Sequence, residues 1–220
     1  MSRKTARTKK QFIMKKLIFA GVFFLAAFSL KAQTSSGDLF VGGGFQFTTS
    51  GGEVTNGATT TQKANTFSLG FTPKVGYFVS DKLAVGAGIG YVSSRTTQPN
   101  DDYTASSTIS FSPFARVYMP ANEQINFYGQ GSVGIGIGNS KQVVGATETD
   151  TGDITTFNFG AGVGVAFFPS EHINIDFGFN LINFRAENDT DPNNDVEDKT
   201  NTFNFGLSTF SPSIGINYFF

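Results

Sequence analysis

Ser213-Ile214-Gly215-Ile216-Asn217-Tyr218-Phe219-Phe220 ends the chain, and the alternation within this stretch decides the fold. Ile214, Ile216, Tyr218 and Phe220 share one parity, while Ser213, Gly215 and Asn217 share the other. Apolar residues set against small or polar ones at a period of two mark a β-strand with two chemically different faces. Seven stretches upstream repeat the pattern. In 39–48, Leu39, Val41, Phe45 and Phe47 oppose Gly42, Gly44 and Gln46. In 67–79, Phe67, Leu69, Phe71, Val75, Tyr77 and Val79 oppose Ser68, Gly70, Thr72, Lys74 and Gly76. The same reading gives strands at 83–91, 108–118, 125–138, 157–168 and 173–184, the last with Ile173, Ile175, Phe177, Phe179 and Leu181 over Asn174, Asp176 and Asn180. The eighth starts in odd register with Phe203, Phe205 and Leu207 and ends in even register with Ile214, so a bulge is expected near 208–212.

The connections alternate in length. Those at 79–83, 119–124 and 168–172 are tight, whereas 49–66, 93–107, 139–156 and 185–202 are long and rich in Thr, Asn, Asp and Gly. Short turns at one rim and long loops at the other are the geometry of a barrel in an outer membrane, with both termini on the short-turn, periplasmic side. The expected fold is therefore all-β: an eight-stranded antiparallel up-and-down transmembrane β-barrel with four longer extracellular loops. A soluble barrel would turn its apolar residues inward and a charged face to water. Here the second face is mostly Gly, Ser, Thr and Asn, which suits a cramped lumen. Aromatics at strand ends, namely Tyr77, Phe78, Tyr91, Tyr118, Phe127, Phe167, Phe168, Phe184, Tyr218 and Phe220, are expected to form two interfacial girdles.

Composition agrees. The chain has 26 Phe and 26 Gly among 220 residues, no Trp, no Cys and only 15% charged residues. Without cysteine there is neither a disulfide framework nor a thiolate metal site. Lys15 and Lys16 precede an apolar run at 17–28 and then Ser29-Leu30-Lys31-Ala32, the layout of a secretory signal peptide cut after Ala32. Residues 1–32 are thus expected to be removed and 33–220 to form the barrel domain; residues 1–13 are either an extended n-region or upstream of a true start at Met14. Twelve apolar residues fall short of the roughly 20 that a membrane helix needs. Cleavage takes away eight of the 16 Lys and Arg and none of the 17 Asp and Glu, leaving a net charge of −9. An acidic mature chain offers no phosphate-tracking stripe, so nucleic acid is not an expected partner.

Five residues of lumen parity make the candidate site: Lys74, Arg116, Tyr128, Gln130 and Asp176. Charges in a narrow lumen need partners, so a salt-bridged plug is expected, with an ion path along the same groups as the alternative. No catalytic residue and no cofactor are expected. His172, the single histidine, falls in a short turn on the periplasmic side, the wrong place for an enzyme acting on outer-leaflet lipid. Asp189, Asp191, Asn193, Asp195 and Glu197 place oxygens at alternate positions as a calcium loop does. Asn194 stands where Gly belongs and Thr200 where Glu belongs, so a solvated acidic loop is the preferred reading and no metal is assigned. The glycine-rich stretches 134–138 and 160–164 match no phosphate-loop pattern.

The stretch Ser110-Phe111-Ser112-Pro113-Phe114-Ala115-Arg116-Val117-Tyr118-Met119-Pro120, followed by Phe127-Tyr128-Gly129, resembles the Bacteroidetes-type outer-membrane β-barrel proteins of the porin-like, OmpA/OmpX-type superfamily. The terminal Ser213, Gly215, Tyr218 and Phe220 resemble that family's β-signal, polar-x-Gly-x-x-aromatic-x-aromatic. The resemblance implies an outer-membrane location, contact with membrane lipid and lipopolysaccharide, and reading of the last strand by the barrel assembly machinery through strand addition. It names no ligand and no partner for the extracellular loops. The functional expectation is a non-enzymatic envelope protein with a structural or surface-interaction role and a plugged lumen; a small porin-like pore comes second and a lipid-acting enzyme third.

Overall fold

Stretches rich in Phe, Val, Ile, Tyr and Thr, with alternate apolar positions, form strands wherever the chain is described. The computed structural model describes residues 34–191, 196–206 and 213–220. The expected signal peptide at 1–32 and the expected bulge at 208–212 lie outside the described residues. The elements are β1 (Leu39–Ser50), β2 (Glu53–Asn56), β3 (Thr59–Gln62), β4 (Asn65–Ser80), β5 (Leu83–Thr97), β6 (Tyr103–Pro120), β7 (Ile125–Val144), β8 (Thr147–Ser170), β9 (Ile173–Asp191), β10 (Val196–Phe205) and β11 (Ser213–Phe219). All lie in one unit, Ala32–Phe219. Among the described residues no helix is long and apolar enough to cross a membrane.

One antiparallel sheet runs in the order β10-β9-β11-β1-β4-β5-β6-β7-β8, and a further pairing of β8 with β9 closes it on itself. β2 and β3 form a separate hairpin turning at Gly57, whose φ of 62° is the positive value a tight hairpin favours. β9 pairs with β11 along Ile173–Gly178 and with β10 along Ile182–Asp191. β10 and β11 therefore follow one another along the same neighbour.

The strand faces are as the alternation requires. Phe45, Phe71, Ile89, Phe111, Ile135, Phe157 and Ile216 all point outward and are exposed around the sheet. The opposite parity is buried toward the short turns, as at Phe40, Phe78, Tyr118 and Asn174. Three sequence expectations need correction here.

First, most of the segments expected as long loops are strand. β5 and β6 leave only 98–102 between them, and β7 and β8 leave only Gly145 and Ala146. The hairpin β2–β3 occupies much of 49–66, while β9 and β10 take up the described part of 185–202. These extensions are held by polar cross-strand pairs: Ser68 with Ser94 at 2.7 Å, Thr66 with Thr96 at 2.9 Å, and Ser107 with Asn139 at 2.9 Å. Both faces there are polar, so no alternation marks them, although Thr favours a pleated backbone.

Second, the register break in the last strand has a counterpart in β9. Ala161 pairs with Ile182 but Gly162 pairs with Asn180, so Leu181 is a bulge residue rather than part of the apolar row. Phe177 and Phe179 share the outer face below it, and Ile182 and Phe184 above it. Phe203 and Phe205 in odd register face Phe184 and Ile182, whereas Ile214 and Ile216 in even register face Phe177 and Ile175. The two parity changes match across the pair.

Third, Phe78, Tyr118 and Phe168 do not join a girdle. They are fully or almost fully buried, with Phe40, Phe114, Tyr128 and Phe219, in one aromatic cluster inside the short-turn end. Phe40 stacks on Phe219 at 5.3 Å, Phe78 meets Tyr118 at 5.4 Å, and Phe168 meets Phe219 at 5.4 Å. Such spacings suit ring pairs, each contributing about 0.5–1.5 kcal/mol beyond the area buried. Their neighbours Tyr77, Val117 and Phe167 stay outside, because adjacent strand residues point opposite ways. Room is made by glycines: a Cβ on Gly76 would strike the Phe40 ring, and one on Gly164 the Tyr128 ring.

Candidate functional site

Immediately above the aromatic cluster, polar side chains from five strands converge. Lys74 comes from β4, Arg116 from β6, Tyr128 and Gln130 from β7, Asn174 and Asp176 from β9, and Asn217 from β11. Each lies on the inward parity, so the sheet's closure alone brings Lys74 into contact with Asp176, 102 positions away.

Asp176 is the hub. Its Oδ2 accepts from Arg116 Nη1 at 2.6 Å, from Lys74 Nζ at 3.1 Å and from Asn217 Nδ2 at 3.0 Å. Its Oδ1 accepts from Asn174 Nδ2 at 3.0 Å. Arg116 also donates through Nε to Gln130 Oε1 at 2.8 Å and through Nη1 to the Tyr118 hydroxyl at 3.1 Å. Its guanidinium carbon sits 4.0 Å from the centre of the Tyr128 ring, in cation–π range. The Arg116 and Asp176 side chains are only 3% and 4% exposed, and that of Lys74 15%. A buried carboxylate so fully coordinated is held in place; removing one member of such a set leaves an unpaired charge out of water.

All five residues expected from the sequence thus meet in one network. Three members were not read from the sequence as part of it. Asn174 and Asn217 share the inward parity of Asp176 and could have been found by extending each inward row one step toward the short-turn end. Tyr118 ends a strand and so suggests the outer girdle, but its parity with Arg116 places it inside. On the hairpin side of the network lies a cavity of about 270 Å³, lined among others by Gln46, Thr72, Gln130, Ser132 and Asn180.

The remaining candidates separate. Ser213 Oγ donates to the Gly178 carbonyl at 3.3 Å, Gly215 lies between Gly44 and Asp176, and Tyr218 pairs with Val41 and Ile173; Phe220 stands just past β11. In the folded sheet Gly215 and Tyr218 are ordinary members of a strand paired on both sides. His172 lies in the short β8–β9 turn with Nδ1 3.1 Å from the Phe219 carbonyl and its ring stacked on Tyr218 at 5.7 Å. Of the calcium-like series, Asp189 and Asp191 pair with Asp198 and Val196 on one face, whereas Glu197 pairs with Thr190 on the other. Asn193 and Asp195 lie outside the described residues. Glu197 instead accepts from Asn188 at 2.7 Å and from Lys199 at 2.7 Å, and both bonds hold its carboxyl below the ordinary range. Among the described residues no group of three or more His, Cys, Asp or Glu could hold a metal ion.

Several solved structures align with this chain. The outer membrane protein OprG from Pseudomonas aeruginosa aligns over 86% of this chain and 99% of its own, at 12% identity and a TM-score of 0.50. Ail, the attachment invasion locus protein of Yersinia pestis, solved in complex with the heparin analogue sucrose octasulfate, aligns over 84% and 99% at 18% identity and a TM-score of 0.45. The outer membrane protease OmpT from Escherichia coli aligns over 84% and 79% at 11% identity and a TM-score of 0.36. At 12% identity the likeness to OprG is one of fold alone. No curated protein matches the chain in sequence. The family model of the outer membrane protein beta-barrel domain matches residues 18–209, and the chain belongs to that family.

Proposed function

We propose that the protein is a non-enzymatic, integral outer-membrane barrel that populates and stiffens the envelope and presents its hairpins at the cell surface. In this reading the barrel has eight staves, β10 and β11 counting as one, with the tight turns and both termini in the periplasm. Residues 1–32 serve as the export signal, and the Ser213, Gly215, Tyr218 and Phe220 series is read by the assembly machinery before β11 is paired. The envelope is of Bacteroidetes type on the resemblance of 110–120 and of the last strand. Lipid and lipopolysaccharide cover the outer face, and the partner of the hairpins is a surface rather than a nucleic acid.

One observation carries the reading. Exposed apolar side chains ring the outside, while the inside holds the buried aromatic cluster of Phe40, Phe78, Tyr118, Phe168 and Phe219 and, beside it, the Lys74–Asp176–Arg116 network. Apolar residues outward and polar residues inward fit lipid as the outer solvent. A narrow lumen filled by side chains has no continuous water column. Planar-bilayer recording of the folded chain tests this: no single-channel steps are expected, and steady unitary conductance would replace this reading by the pore.

A further inference from the structure

We propose that the lumen cavity above the Lys74–Asp176–Arg116 network is a binding site for a small oxyanion, such as phosphate. The inference rests on the cavity being a cup closed at the short-turn end, as proposed above, and adds an occupant.

Two cations face one carboxylate there. Lys74 Nζ and Arg116 Nη1 both donate to the same oxygen, Asp176 Oδ2. The carboxylate is then saturated, since Asn217 also donates to Oδ2 and Asn174 to Oδ1. The network keeps one surplus positive charge at a place largely out of water, and donors to spare. Among the described residues two of the three N–H groups of Lys74, and the Arg116 Nη2 group, have no acceptor. An uncompensated charge in a low-dielectric site draws a counter-ion.

Among the described residues no protein group nearby supplies that counter-charge. Going up the inner face of β9 from Asp176, the next residues are Gly178, Asn180 and Asn183, all uncharged. The next acid on that face, Glu187, stands roughly 35 Å along the strand at about 3.3 Å per residue. It is already engaged by Arg185, with 2.5 Å between Nη2 and Oε2. Screening in salt acts over about 8 Å, so this distant acid cannot neutralise the floor of the cup. The other inward rows above the network are likewise uncharged: Thr72, Gly70 and Ser68 on β4, Ser112 and Ser110 on β6, and Gln130, Ser132 and Gly134 on β7.

The space suits the charge. A volume of about 270 Å³ lies at the small end of ligand pockets and takes a tetrahedral oxyanion with some of its water. The cavity is bounded by Lys74, Arg116 and Asp176 and lined by hydroxyl and amide groups from Thr72, Gln130, Ser132 and Asn180. An oxyanion resting on Lys74 Nζ and Arg116 Nη2 would take charge-assisted hydrogen bonds from both cations and further bonds from these neutral donors.

The test is calorimetric titration of inorganic phosphate into the folded chain in neutral detergent, in a buffer free of other oxyanions. One saturable site per chain is expected. Lys74→Met should weaken it at least tenfold, and so should Ser132→Phe, which fills the cup and leaves all three charges in place. Folding of each variant is checked by its heat-dependent gel mobility, and if Lys74→Met does not fold, Ser132→Phe decides alone. Absence of saturable binding to the wild-type chain overturns the proposal, as does wild-type affinity in either folded variant. Conductance is recorded separately without phosphate, so an open lumen and an empty site are distinguishable failures.

Discussion

The short-turn half and the hairpin half of the strands share a backbone and differ in almost everything else. In the short-turn half every second residue is apolar and outward, and the inside is packed with rings and a buried ionic network. In the hairpin half both faces carry Thr, Ser, Asn and Asp, held by exposed pairs such as Lys141 with Glu148 at 2.9 Å and Asn188 with Glu197 at 2.7 Å. The comparison teaches that strand structure does not need a dry core once the ladder has been started by one. Packing fixes the register of the sheet, and the ladder hydrogen bonds continue it into water with little further stabilisation from side chains.

The sharpest break in that contrast is at Asp176. Asp176→Leu leaves Lys74 and Arg116 unpaired inside the barrel, where loss of one partner of a buried pair costs about 3–5 kcal/mol. Urea titration of the refolded barrel in micelles should show a large drop in midpoint. An unchanged midpoint would mean that water, and not the carboxylate, neutralises the two cations. Phe78→Ala should follow closely, since removing a fully buried ring costs about 3–5 kcal/mol. Phe71→Ala, at a ring 55% exposed on the outer face, should cost clearly less in the same titration. Equal losses would mean that the two faces are not different solvents.

The same contrast explains what was legible. Alternation is a signal of asymmetry between faces, so the short-turn half can be read almost residue by residue, down to the five expected members of the Asp176 network. Phe78 and Tyr118 are aromatic strand ends and so suggest a girdle, while parity, the stronger rule, places them beside Lys74 and Arg116. The hairpin half gives no asymmetry to read. Its Thr-rich segments resemble loops in composition, and only the cross-strand partner, which a single sequence does not reveal, makes them strands. Leu181 failed for a related reason: a bulge keeps apolar residues apolar and changes only which face they are on.

Hairpin-half substitutions sharpen the comparison from the weak end. Ser68→Ala removes the hydroxyl bond to Ser94 and should cost about 0.5–1 kcal/mol, a small fraction of the Asp176→Leu effect in the same titration. A loss as large as that of Phe78→Ala would show that the polar extension is cooperative with the core.

The smallest effect has the opposite sign. Asp189, in the β9–β10 hairpin, has its carboxyl pushed above the ordinary value of 3.8, first by desolvation and then by Glu187, Asp198, Asp153 and Asp191. Among the described residues its Oδ1 has no hydrogen-bond partner. A carboxyl raised in the folded state favours folding when protonated, so its contribution is fully present below pH 3.8 and is lost as pH rises through the raised value. At neutral pH the charged form therefore works against the hairpin. Asp189→Asn should slow amide hydrogen exchange along Val196–Phe205 at pH 7, and the gain should vanish below about pH 3.8, where both side chains are neutral. Faster exchange in the variant at neutral pH would mean that the carboxylate is engaged by a cation at the hairpin tip, and the polar half would then have an ionic anchor of its own.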